Sequence, residues 1–126
     1  MSPLTISIRY ATTGPVLEIT GDLDHSTALE LRTAVEGLTL ATGQLLVLGL
    51  ARLDFCDSSG ISALLSARSW AIEQGGGIVL AAVPANTARI LGIVGLDKVF
   101  TLRPDVSTAT SSGTSADPSE LSANDT

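Results

Sequence analysis

A layered α/β domain built on a largely parallel sheet is the fold class this sequence predicts, and three observations predict it. Period-2 alternation of apolar and polar residues runs from Leu4 to Tyr10 and again from Val16 to Thr20. Two continuously apolar runs, from Leu45 to Leu50 and from Ile78 to Val83, have the length of strands buried on both faces. Segments of helical period separate and follow them. Strand, helix, strand, helix, strand, helix after an opening hairpin calls for right-handed βαβ crossovers, with helices covering the sheet. The 126 residues allow one domain, and 44% apolar content is enough to bury a core. With only 3% aromatics that core is aliphatic, which suits a thin layered fold better than a deep cavity walled by rings.

Leu4, Ile6, Ile8 and Tyr10 alternate with Thr5, Ser7 and Arg9, the pattern of a strand with one face buried. Thr13, Gly14 and Pro15 carry turn chemistry and Val16 to Thr20 alternate again, so the two strands form a hairpin. Gly21 to Asp24 break the second strand. After His25 and Ser26, Ala28, Leu31, Val35 and Leu38 recur at helical spacing, and Gly43 closes the first helix. The glycines at 75–77 stop the central helix, Pro84 suits the start of a short helix ending at Gly95, and Val99 to Leu102 form a last edge strand.

The central stretch runs from Leu53 to Glu73. Leu53, Phe55 and Cys56 lead into Asp57, Ser58, Ser59 and Gly60, and a helix without Pro or internal Gly begins at Ile61. Asp57 or Ser58 can cap it, because the side-chain oxygen of either accepts from the orphan N–H groups of a first turn. Ile61, Leu64, Leu65, Ala71 and Ile72 gather on one side, with Ala63, Ala67 and Trp70 on a flank. Ser58, Ser62, Ser66, Ser69 and Glu73 form the remaining stripe. Small hydroxylated residues along one face suit close contact with another protein, or simply face water.

From Pro104 onward Ser, Thr, Ala, Gly and Asp dominate and periodicity disappears. The expected organisation is a domain over 1–103 and a disordered, acidic Ser/Thr-rich tail over 104–126. The net charge is −6; residues 1–103 hold all seven bases and nine of the thirteen acids, so most of the negative charge lies in the tail. Nothing here attracts a phosphate backbone, and nucleic acid is not an expected partner. The lone Cys56 forbids an internal disulfide. No basic segment followed by an apolar run opens the chain, and no apolar run approaches a membrane span, so a cytoplasmic protein without a membrane partner is expected.

Catalytic and ligand motifs are weak. Ser58, Asp57 and His25 have the residue types of a hydrolytic triad but neither its spacing nor a G-x-S-x-G elbow, and the chain is not expected to be an enzyme. The glycines at 75–77 lack the following Lys and Ser/Thr of a P-loop, and no cofactor is implied. Asp22, Asp24, Asp54 and Asp57 could meet at one edge of the sheet around a divalent ion. Turn and cap roles account for them equally well, and no metal is expected. Cys56, in an apolar run, reads as an inert core thiol. Arg68 lies on the otherwise apolar face of the central helix, where it either snorkels or meets a partner. The chemistry that remains is modification of a serine: a phosphate at a helix start adds roughly −1.5 to −2 charges where free N–H groups and the helix dipole favour an anion.

Two segments resemble the STAS family, specifically the stand-alone bacterial anti-sigma factor antagonists: Gly21, Asp22, Leu23, Asp24 with Ser26, Thr27, Ala28, and the more specific Phe55, Cys56, Asp57, Ser58, Ser59, Gly60, Ile61. The resemblance covers about residues 4–102. It implies a mixed sheet of four or five strands with helices mainly on one face. It also implies a partner that is both anti-sigma factor and ATP-dependent serine kinase, which phosphorylates Ser58, with a serine phosphatase completing the cycle. The unphosphorylated form would bind that partner and free the sigma factor. Asp22, Asp24, Asp57, Ser58, Ser59, Gly60, Ser62 and Ser66 are the expected partner-binding residues. Gly49 stands where the family commonly has Asp. The alternative is a STAS interaction module of another signalling assembly, without a phosphorylation cycle.

Overall fold

The computed structural model describes residues 3–111. The opening alternation forms an antiparallel hairpin of β1 (Thr5–Ala11) and β2 (Gly14–Leu23). Helix α1 (Ala28–Glu36), β3 (Leu45–Cys56), α2 (Ser58–Glu73), β4 (Gly77–Ala81) and α3 (Ala85–Ile93) follow. A 3₁₀ turn (Leu96–Lys98), β5 (Thr101–Arg103) and α4 (Val106–Ser111) complete the described chain. The five strands lie in sequence order, β2 to β5 parallel and β1 antiparallel, as a mixed sheet.

Alternate residues of the buried strands point to opposite faces, and the two faces are covered unequally. Leu17, Ile19, Leu46, Leu48, Leu50, Ile78 and Leu80 pack with Leu31 and Val35 of α1, with Ile61, Ala63, Leu64, Ala67 and Ala71 of α2, and with Leu91 of α3. The other face carries a small cluster of Val16, Val47, Val79 and Ala81. Helix α4 covers it with fully buried Ala109 and half-buried Val106.

Several boundaries differ from the sequence expectation. In β1 Ile6 is half-buried while Ile8 and Tyr10 are exposed, because β1 is an edge strand beyond the reach of the helices. Helix α1 ends at Gly37, well before Gly43, and Leu38 and Leu40 enter the core from irregular chain. Strand β4 stops at Ala81 because Ala82 takes a positive φ of 55° and donates its N–H to the Arg103 carbonyl. Strand β3 does not end at Leu50 but continues to Cys56, paired along its extension with β2 alone. Residues 104–111, expected to open the structureless tail, also differ: Asp105 Oδ1 accepts from the Thr108 N–H at 2.7 Å, and the short helix it starts buries Ala109. The rest of the expected tail, 112–126, lies outside the described residues.

Helix α4 can lie close because β3 has Gly49 beneath it. A Cβ there would meet the Glu18 carboxylate at 2.7 Å and Val106 Cγ2 at 3.0 Å. Ala109→Asp is expected to undock α4 and lower stability by about 1–3 kcal/mol, since a carboxylate among four aliphatic side chains has no partner. Thermal unfolding of this variant, set beside Ser107→Asp on the exposed side of the same helix, measures the difference.

Candidate functional site

Beyond Ala81 the sheet narrows to an arm of β2 and β3, and the candidate site sits at its tip. The rungs Asp22 to Phe55 and Leu23 to Cys56 bring the β2–α1 loop beside the start of α2. Asp57 donates its N–H to the Leu23 carbonyl at 3.3 Å. Gly60 lies against the same carbonyl, so close that a Cβ would clash with it and would meet Cys56 Sγ at 2.7 Å. Glycine is required there by the close approach of helix to strand.

The choice of cap is settled by geometry. Asp57 has extended backbone angles and its Oδ1 accepts from the Gly60 N–H at 3.0 Å, while its carbonyl accepts from Ile61 at 3.0 Å. Ser58 is the first helical residue. It is exposed, and its hydroxyl makes no hydrogen bond among the described residues, whereas Ser59 is half-buried. Of the serine stripe, Ser62 and Ser69 are exposed with Ser58, but Ser66 is half-buried in the seam with α1, beside Arg32, Glu36 and Trp70. The exposed face is therefore narrower than the stripe.

Asp22, in the last rungs of β2, and Asp24, which opens the following loop, are both half-buried. Asp24 Oδ1 accepts from the Ser26 hydroxyl at 2.7 Å and the Ser26 N–H at 3.0 Å, and these bonds, led by the hydroxyl, hold its carboxyl below the usual value. Buried Thr27 ties the loop together: its hydroxyl donates to the Asp22 carbonyl at 2.7 Å and accepts from the Asp24 N–H at 2.9 Å. Thr27 was legible only as part of the loop's resemblance, because a hydroxyl that braces a turn looks like any other threonine in sequence. Among the described residues no three His, Cys, Asp or Glu side chains gather to hold a metal ion. Asp24 and Asp57 are engaged in turn and cap bonds, and Asp54 is exposed. Cys56 is buried, and desolvation followed by the charge of Asp57 pushes its thiol up to about 11, a value that leaves it unreactive. His25 is exposed and shares no hydrogen bond with either serine among the described residues.

One feature of the tip was not legible in the sequence. Phe55 is 53% exposed and, with Asp54, Pro84, Asn86, Arg89 and Ile90, lines a groove between the β3 arm and α3. In the sequence Phe55 was only part of the apolar lead into Asp57, and its exposure goes with β3 having β2 alone beside it here.

Because Asp57 is the cap, Asp57→Ala is expected to lower stability by about 1 kcal/mol, and Ser58→Ala by no more than a few tenths. Denaturant unfolding of the two variants separates the roles. Equal losses would place the cap on Ser58.

Among the described residues no helix is long and apolar enough to cross a membrane. A family model described as "Mlab, STAS domain" matches residues 6–104. An anti-sigma factor antagonist from Mycobacterium paratuberculosis is 26% identical, with a TM-score of 0.71 over 86% of this chain and 95% of its own. SpoIIAA of Bacillus, itself an anti-sigma factor antagonist, is similar in its unphosphorylated form at 20% identity and a TM-score of 0.68, over 83% of this chain and 92% of its own. Its phosphorylated form is similar at 19% identity and 0.64, over 83% and 96%. A sulfate transporter family protein from Wolinella succinogenes is 17% identical with a TM-score of 0.71, over 83% and 88%. With the family model spanning β1 through β5, the chain belongs to the STAS domain family, and its fold is that of a non-enzymatic interaction domain.

Proposed function

We propose that this protein is an anti-sigma factor antagonist working in the cytoplasm by partner switching. In its unphosphorylated form it binds an anti-sigma factor that is also an ATP-dependent serine kinase, and so releases the sigma factor. Phosphorylation of Ser58 ends that binding, and a serine phosphatase restores it. The observation that carries this reading is the Ser58 hydroxyl: exposed, unbonded, and first in a sixteen-residue helix whose cap is supplied by the residue before it. A kinase gains access to it without breaking any bond of the fold.

The switch follows from local electrostatics. The first turn leaves the N–H groups of Ser58 and Ser59 without intrahelical acceptors, and phosphate oxygens can take them, so the modified state remains folded. Outward, the phosphate projects from the head of a face made small by Ser58, Ser62 and Ser69. Desolvating that charge against a surface without a matching cation costs several kcal/mol, enough to weaken binding by a few orders of magnitude. Asp22, at the end of β2, and Asp24, in the loop after it, contribute to the same contact surface. The likeness to a 26%-identical anti-sigma factor antagonist, and to SpoIIAA in both phosphorylation states, supports the reading.

The family model's own description favours one other reading, a STAS interaction module of a different assembly without a phosphorylation cycle. Recovery of the bound partner from a native lysate, followed by incubation with ATP and mass analysis, distinguishes the two. The expected result is a kinase-type partner that labels Ser58, Ser58→Ala that binds constitutively, Ser58→Glu that binds poorly, and Ser59→Ala that is still labelled. Charge reversal at both Asp22 and Asp24 should weaken binding while the fold is kept. Labelling of Ser59, or equal affinity of the phosphorylated and unmodified proteins, would overturn the mechanism.

A further inference from the structure

A second surface lies at the opposite end of the sheet from Ser58. Strand β5 pairs only with Val79–Ala81, so the outer side of Gly77 and Ile78 carries no strand. The notch opens into a groove of about 360 Å³ whose walls include Arg68 and Ile72 of α2, Val99, and Thr101 and Arg103 of β5. No carboxylate lines it. Both arginines are half-buried, and among the described residues neither has a carboxylate within ion-pair distance; the ion pair described is Arg9 with Glu18. Ile72 and Val99 add exposed apolar surface to the same walls.

The chain itself supplies matching chemistry. Helix α4 starts from the carboxyl end of β5 and lies back across the small face, Val106 beside Gly49 and Ala109 in the cluster with Val47 and Val79. Residues 112–126 follow directly and carry Asp117, Glu120 and Asp125, no base, and one large apolar residue, Leu121. Five residues separate Ser111 from Asp117, and the six steps between them reach roughly 20 Å when extended, ample for a groove on the neighbouring rungs. Tethering also gives the segment an effective concentration on the order of millimolar, so that ion pairs together with the burial of one leucine need supply an intrinsic affinity of only about millimolar.

We propose that the acidic segment 112–126 docks in this groove, its carboxylates on Arg68 and Arg103 and Leu121 against Ile72 and Val99. The contact is electrostatic in the main and is screened by salt. It gives Arg68 a role on an otherwise apolar helix face, and it closes a notch at the sheet edge where another chain could pair.

The full-length chain tests this directly. Ala123→Cys accepts a nitroxide label while buried Cys56, with its thiol pushed up to about 11, does not compete. Paramagnetic broadening is then expected at the amides of Ile72, Gly77 and Thr101 in low salt. Most of it should vanish near 0.5 M salt, where the Debye length falls to roughly 4 Å. The same loss is expected in Arg68→Gln/Arg103→Gln and in Asp117→Asn/Glu120→Gln/Asp125→Asn. Broadening that is absent from the groove, or that survives both sets of substitutions, overturns the proposal. So does broadening that passes undiminished to unlabelled chains mixed with labelled ones, because the occupant is then a second copy.

Discussion

The site depends on one contact, the seating of the first turn of α2 on the carbonyl of Leu23. That carbonyl accepts the Asp57 N–H, lies against the bare Cα of Gly60, and belongs to the residue whose side chain enters the main core. Strand, cap and helix are thereby fixed to one another within a single turn. Two consequences follow. The β2–α1 loop begins at the next residue, so the loop that Asp24 opens starts at the first turn of α2. Strand β3 must also run on past the end of β4, since only a strand paired with β2 as far as Leu23 can deliver Asp57 to that carbonyl.

Placing the cap on Asp57 separates two duties that a single serine would have combined. A capping hydroxyl that is also the modified group would lose its bond to the helix when esterified, and switching would alter stability as well as recognition. Here the cap bond runs from Gly60 to Asp57, while the Ser58 hydroxyl faces outward with no structural task. Its modification breaks no hydrogen bond among the described residues. The neighbouring loop follows the same logic, with Thr27 buried as its brace and the Asp24 carboxyl held below its usual value by the Ser26 hydroxyl and N–H, so that its conformation is fixed by its own bonds.

Elements were legible in the sequence wherever one physical signal dominated. The apolar runs at Leu45 and Ile78 declare themselves as strands by their shortness, their bounding glycines and their lack of any polar face, and the serine-bearing helix by its cap and its length. Boundaries set by tertiary pairing were not legible. The extension of β3 through Ala51 and Arg52 is a product of pairing with β2, and exposed alanine and arginine carry no strand signal of their own. Leu38 continued the helical period of α1 yet reaches the core from a turn, because burial constrains position and not backbone conformation. Helix α4 was hidden by composition: a stretch of Ser, Thr and Ala looks like tail until a shallow patch of valines supplies something for Ala109 to bury. At the site, Ser58 was legible from the motif. The identity of the cap, the brace on Thr27 and the exposed ring of Phe55 required coordinates.

Gly49 connects these two halves of the molecule. An aspartate at that position would project from the α4 side of β3, toward Glu18 and Val106, and would add a second carboxylate within reach of the first while pushing the helix off its valines. The side chain at 49 therefore acts on the small face and not on the tip, which lies seven residues further along β3 and beyond the last rung of β4. In this chain the glycine permits a helix to seal that face. The tip of the β2–β3 arm and the sealed small face then rest on different residues, and a change in one need not be felt in the other.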